Sequence, residues 1–323
     1  MENVYSEEDI SKMRNYVKQH GCSSNYLEPG LYLVSTLLLL FFVLYLMTLT
    51  KNYNAILIVL LALVNLRLFM IFHDSCHKSY LPSDERAKDY NGVNYKLGKL
   101  LEPWCMYTVE TWTKIHSQHH KAHGNTNEYD GTRTVLTSGE YNDLDDRLKT
   151  LYDILRFPPL FFLVAPLYIF WISRIIYFDV EYIIKYSLWL LVLYKIGSSK
   201  LMFSFIIAQY IAGVIGLILF HLQHQVNTGY WKPIDKNDKL SKDNAELLGA
   251  SVLKIPYGLD YFTNGIEYHN VHHLDPGVPC YKTQQIYYDL VNKGWIPDTK
   301  INYREELKSL GHTIFNEITN KYE

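Results

Sequence analysis

The chain has 323 residues, 48% of them hydrophobic and 15% aromatic, with a formal net charge of −2. That charge gives no bulk attraction for nucleic acid, and four scattered cysteines without CxxC spacing argue for reduced thiols rather than a disulfide framework. Mean hydropathy near zero averages very apolar segments with very polar ones, which argues against a pair of ordinary soluble domains.

Residues 1–30 form a polar lead in which a short amphipathic helix is expected from Glu7 to His20, and no secretory signal peptide is seen. Leu31–Leu49 carries no charge over nineteen residues, enough for one helical crossing of a bilayer. After the link Thr50–Tyr53, the apolar run Asn54–Phe72 returns the chain, so residues 31–72 read as a transmembrane hairpin. Arg67, near the far end of that run, is expected to snorkel to the headgroups. Residues 73–157 are polar. Residues 158–220 hold three apolar runs, Leu160–Tyr177, Tyr182–Gly197 and Leu201–Phe220, and residues 221–323 are polar again. The 28 Tyr and 6 Trp suit the interfacial belts of a polytopic protein.

Eleven Lys and Arg fall in residues 73–156 and only Lys51 in the link 50–53, which orients the N-terminus and the long polar stretch to the cytosol. The fold expected is all-α: a single polytopic membrane domain over residues 1–323, with about four transmembrane helices carrying a cytosolic helical cap.

Thirteen histidines are present, and eleven of them lie in four clusters: His73 and His77; His116, His119, His120 and His123; His221 and His224; His269, His272 and His273. Residues three and four apart share a helix face, so HxxxH offers two imidazoles side by side and HxxHH offers two pairs with a common first member. Imidazole suits iron, copper, zinc and nickel. Eight or nine clustered imidazoles exceed the needs of one metal and suit two. Within the third cluster His224 is the stronger ligand candidate and His221, one turn away, the weaker. His123 lies beyond a box already complete without it, and the isolated His20 and His312 are expected to be bystanders. A ligating imidazole usually donates its other N–H to a carboxylate or carbonyl. Asp74, Glu128, Asp130 and Glu267, together with Asn227, are candidates for that support. Parity adds a constraint: all box histidines must lie on one side of the membrane, so residues 158–220 must cross an even number of times. Leu160–Tyr177, broken by Pro166 and bracketed by Pro158-Pro159 and Arg174, is expected to lie flat or re-enter.

The boxes in this order, with Gly124-Asn125, Gly131-Thr132, Val135-Leu136-Thr137 and Glu140-Tyr141 after the second, resemble the membrane fatty-acid desaturase family, in its acyl-lipid omega-6 and Δ5-type branch. Gln223-His224-Gln225 with Gly229-Tyr230-Trp231, Leu253-Lys254-Ile255-Pro256, and the run from Tyr268 through His273-Leu274 to Pro276-Gly277-Val278-Pro279-Cys280-Tyr281 carry the resemblance across most of residues 30–290. Val226 and Asn227 stand where that branch usually carries an acidic residue. The resemblance implies two non-haem iron ions that activate O2 and leave a cis double bond in a membrane-lipid acyl chain. It implies nine ligands: His73, His77, His116, His119, His120, His224, His269, His272 and His273. No HPGG haem motif is seen, so a separate cytochrome b5 or ferredoxin is the implied electron donor. The implied location is multi-pass in a membrane, the endoplasmic reticulum in a eukaryotic-type host, with the boxes cytosolic. An acyl hydroxylase on the same scaffold is the alternative. A metal transporter or a bis-His haem protein is the alternative of another class, although the first crossing lacks the ionisable residues that transport would require.

Overall fold

A computed structural model describes residues 4–82, 92–128, 130, 133–177, 179–226 and 229–323. The described residues are mostly helical, with three short strands. Helix α1, Glu7–His20, forms where the sequence predicts it. Ser6 and Asp9 make a reciprocal cap, and the acidic first turn and basic last turn complement the helix dipole. Its Ile10, Met13 and Val17 are buried in a core shared with Val271, Leu274, Ile286 and Leu290. The polar lead is thus packed into the cap around the last histidine box.

Helices α2, Leu27–Leu49, and α3, Ala55–Cys76, form the expected hairpin. Leu40, Val43 and Met47 bury one side of α2 in the core that holds Leu61 and Leu68. Leu31, Leu38, Phe41, Phe42 and Tyr45 stay exposed, an apolar surface of the kind lipid covers. Helix α3 continues one turn past its apolar run and so carries His73 and Asp74 in its last turn. Arg67 departs from expectation. It is buried, donates from Nε to Thr36 Oγ1 at 2.9 Å and from Nη1 to the Tyr261 carbonyl, and lies 4.0 Å over the Tyr261 ring. Helix α2 and a segment nearly two hundred residues away supply these partners, so the guanidinium has no need to reach the headgroups.

Helices α4, Val93–Cys105, and α5, Val109–Ala122, follow. Short helices α6, Ser138–Asn142, and α7, Asp146–Arg156, lead to the apolar segment. That segment is α8, Pro158–Leu167, a π-helical turn, Tyr168–Ile172, and α9, Ser173–Ile176. Pro166 lacks an N–H and crowds the preceding turn, and the π-helical turn follows directly. Both ends of the segment face the histidine end of the bundle. Phe162 packs 5.3 Å from the His221 ring. Beyond the other end, Asp179 Oδ2 accepts from Thr111 Oγ1 at 3.1 Å, in the first turn of α5. Between them Phe170 fits against Gly213, where a Cβ would come within 2.8 Å of its ring. Gly213 lies only about 12 Å along the helix from His221 at the usual rise per residue.

Helix α10, Val180–His224, is two arms rather than one rod. Gly197 and Ser198 leave helical geometry, and the Trp189 and Phe205 rings stand 6.0 Å apart. In a straight helix those residues would be separated by about 24 Å. The chain therefore doubles back at 197–198. Lys200 Nζ donates to the Met47 carbonyl at 2.9 Å and also to that of Thr50, which fixes this turn beside the 50–53 link, at the end opposite the histidines. By length and composition α2, α3, residues 158–176 and α10 are each apolar enough to cross a membrane.

The cap is completed by α11, Lys239–Leu248, α12, Asp260–Thr263, α13, His269–Leu274, α14, Cys280–Asn292, and α15, Tyr303–Ser309. Strand β1, Leu136–Thr137, pairs parallel with β2, Ile314–Asn316, which pairs antiparallel with β3, Lys321–Tyr322.

Candidate metal centre

Four helix ends converge. The last turn of α3 supplies His73, with His77 as its C-cap. Helix α5 supplies His116, His119 and His120, with His123 as its C-cap. The end of α10 supplies His224, and α13 supplies His269, His272 and His273. Helix geometry aims the side chains: α5 starts at a Thr108 cap, and α13 is a single wholly buried stretch, His269–Leu274.

The rings form two groups. Ligand atoms of His73, His77, His116 and His272 all lie within 4.8 Å of one another. His120 joins them, its Nε2 standing 3.1 Å from Nε2 of both His116 and His272. Ligand atoms of His119, His123, His224 and His273 form the second group, again within 4.8 Å. His269 joins it, its Nε2 3.0 Å from that of His224 and 3.2 Å from that of His273. The groups touch through His120 and His273, whose centroids are 4.5 Å apart.

Such convergence of ring nitrogens is the arrangement a cation would hold together. Burial, and then the neighbouring rings, push His77, His116, His120, His269, His272 and His273 well below the ordinary histidine value, and burial pushes His123 down to about 3. Neutral imidazole is the form that binds metal. Asp74 Oδ1 stands 3.0 Å from Nδ1 of His73, and Asp130 Oδ2 2.7 Å from Nδ1 of His119. Each carboxylate holds the proton on Nδ1 and leaves Nε2 as the donor atom. A donor set of buried neutral imidazoles fits first-row transition metals.

Asp74 and Asp130 therefore stand where supporting carboxylates were expected. Glu267 is buried beside the last box, but its carboxylate accepts from Thr263 Oγ1 at 2.7 Å. Glu128 is half-buried, and its backbone N–H donates to the Asn125 carbonyl at 3.4 Å. Asn227 lies outside the described residues. His224 joins the second group and His221 does not. The His221 ring is held by the Ser309 carbonyl at 2.8 Å and Thr134 Oγ1 at 3.2 Å. His312 bonds the Gln225 carbonyl, and His20 packs on Tyr16.

Sequence reasoning left four contributors out of the centre. His123 sits inside the second group, and its spacing of four from His119 was the available signal. Cys280 was not singled out. Its N–H donates to Asp74 Oδ2 at 2.7 Å and its thiol to Oδ1 at 3.0 Å, which locks the carboxylate behind His73. Trp112 stacks on His116 at 4.9 Å and Phe220 lies 4.8 Å from His224, an apolar cover that no spacing rule reveals.

The family model for fatty acid desaturase matches residues 51–302. The chain belongs to the fatty acid desaturase family. The chain is 32% identical over 232 residues to a fatty acid desaturase of Bacillus subtilis (strain 168), covering 68% of the chain and 62% of that protein. It is 23% identical over 240 residues to an sn-1 oleoyl-lipid 12-desaturase of Picosynechococcus sp., covering 68% and 63%. The chain thus spans a little over three fifths of the length of these curated relatives. With its apolar helices and its family, the chain is a membrane protein, and its histidine clusters are able to hold metal.

Proposed function

We propose that the chain is an O2-dependent di-iron desaturase that places a cis double bond in a lipid-bound acyl chain. The observation that carries this reading is the pair of abutting, buried imidazole clusters. Two metal ions fit two such sets. Bound iron would supply the O2-derived oxidant for two neighbouring methylene hydrogens, whose acidity is far outside the reach of any side-chain base. The balance requires one O2, two electrons and two protons per double bond, with two waters released. The electrons come from a separate carrier, cytochrome b5 or a ferredoxin. The cyanobacterial relative's name points to a lipid-bound acyl substrate.

The protein's own residues do the holding. His73, His77, His116, His120 and His272 would hold one ion, and His119, His224, His269 and His273 would hold the other. Asp74 and Asp130 keep the tautomers. Trp112, packed on Phe69 and His116, and Phe220, packed on His119 and His224, keep water from the bundle side of the rings. The bundle crosses the membrane four times, with α2, α3 and the two arms of α10, and residues 158–176 dip in and return. Support comes from the turn at 197–198 lying beside the 50–53 link while both ends of 158–176 face the histidines. The histidine end is cytosolic, on the endoplasmic reticulum in a eukaryotic-type host.

The deciding experiment is mass-spectrometric analysis of lipids from a host expressing the chain. New cis-unsaturated acyl groups are expected; hydroxylated acyl groups would assign it to the hydroxylase reading, and no change in acyl composition with a reducing partner supplied would overturn both. In sealed vesicles, a cysteine near Ser198 is expected to be lumenal and one near Asp179 cytosolic. The reverse would make residues 158–176 a crossing.

A further inference from the structure

We propose that His123 is a tenth metal ligand, completing a five-imidazole set at the second cluster. The inference rests on the di-iron reading above and concerns a residue that the family's nine-histidine pattern leaves out.

Without His123 the two clusters are unequal, five imidazoles against four. With it they match. The His123 ring stands 4.2 Å from His273, 4.6 Å from His224 and 5.4 Å from His119, centroid to centroid. Its ligand atom shares a sphere of 4.8 Å with theirs, and the residue is 6% exposed. Burying an imidazole against three others without a common cation desolvates four polar rings for little return. The cavity at this spot is about 20 Å³ and is lined by His119, His123, His224 and Gly249 among others, room for little more than one water-sized ligand.

The backbone is shaped to admit the ring. Helix α5 stops at Ala122, and His123 turns out of it at φ −56° and ψ 133°. Gly124 follows at φ +70°, where a side chain is strained, and a Cβ there would also come within 2.6 Å of Ala245 Cβ. Across the site Gly249 presents bare backbone to the ring. A Cβ at 249 would come within 2.6 Å of His123 Nε2. Two glycines from segments more than a hundred residues apart thus leave the space that His123 fills. A solvent-facing histidine would need neither.

The test uses the full chain purified in detergent and loaded with iron-57, read by metal analysis and Mössbauer spectroscopy. Wild type is expected to hold about two irons, and His123→Gly about one, because the first cluster keeps all five of its imidazoles. The surviving signal should be that of a single environment, and added imidazole should restore the second iron and its signal. His123→Asn, which keeps a polar side chain in the space, checks the fold and should lose the same iron. Two irons with wild-type spectra in both variants would overturn the proposal, as would loss of both irons without imidazole rescue. Fewer than two metal ions in wild type would instead overturn the di-metal reading beneath it.

Discussion

The two histidine clusters share α5 and α13 and differ in the helix that completes each. The first hangs on α3, a long helix packed on both neighbours, and its supporting carboxylate Asp74 is anchored by the Cys280 backbone and thiol. The second adds His224, the last residue of α10, to rings from α5 and α13, the two helices that also give the first cluster His116, His120 and His272, and its carboxylate Asp130 stands between α5 and β1. A small cavity touches the second cluster at His119, His123 and His224. Every ring of the second cluster is buried, whereas His77 and His120 of the first are half-buried. The difference assigns unequal consequences to substitutions that look equivalent in sequence.

The largest effects should come from residues where the clusters meet. His120→Ala and His272→Ala each remove an Nε2 that stands 3.1 Å from its partner's, and His273→Ala removes the ring that joins the clusters. Each should reduce product by roughly a thousandfold or more, the scale of losing a group essential to the chemical step. His221→Ala should keep measurable product, because its ring serves Ser309 and Thr134 rather than the centre. Product ratios by gas chromatography, normalised to protein in the membrane, decide the matter. Equal loss at His221 and His224 would show that the assignment of the third cluster is wrong.

The boxes were legible and their wiring was not. Spacing identified eight box histidines because HxxxH and HxxHH set imidazoles on one face of a helix, and the family resemblance added His224. It did not say which rings go together. Successive helical residues turn by about 100°, so the third and fourth residues after a given one lie on opposite sides of its axis line. His120 accordingly stays with His116 in the first group while His119 diverges into the second, and His273 stays with His269 while His272 crosses over. HxxHH is therefore one pair plus one ring for the neighbouring metal, rather than two pairs with a common member. By that rule His123, four residues after His119, belongs with it.

The hairpin of apolar helices was equally legible, since a long uncharged run is at home in hydrocarbon and costly in water. The burial of Arg67 was not, because its partners Thr36 and Tyr261 come together only in the folded chain. The same holds for Cys280 on Asp74, a contact across 206 residues. Local pattern reads helices and faces; it does not read which distant backbone closes a site.

A middle-sized contrast lies in the carboxylates. Asp74→Asn and Asp130→Asn each replace an acceptor by an amide that can offer a donor to Nδ1, which favours the wrong tautomer. Each should weaken metal at its own cluster by about 10–100-fold. The Asp74 change should be the larger, because that carboxylate also receives the Cys280 N–H and thiol. Stepwise metal titration of the two variants, followed spectroscopically, should show a different site weakened in each. Identical losses at both sites would dissolve the distinction between the clusters.

Glu267 gives the smallest effect and the sharpest control. It sits two residues before His269 and is buried, so sequence proximity makes it a candidate for the same support. Its carboxylate, however, accepts from Thr263 Oγ1, and burial holds its pKa above the ordinary carboxylate value. Glu267→Gln keeps an acceptor for that hydroxyl, removes the ionisable group and adds no bulk. Metal content and product should therefore stay within about twofold of wild type, with any cost confined to about 1 kcal/mol of stability from one altered hydrogen bond. If Glu267→Gln instead loses metal on the scale of Asp130→Asn, the Thr263 contact is not its role, and a carboxylate without a ring partner would be tuning the second cluster.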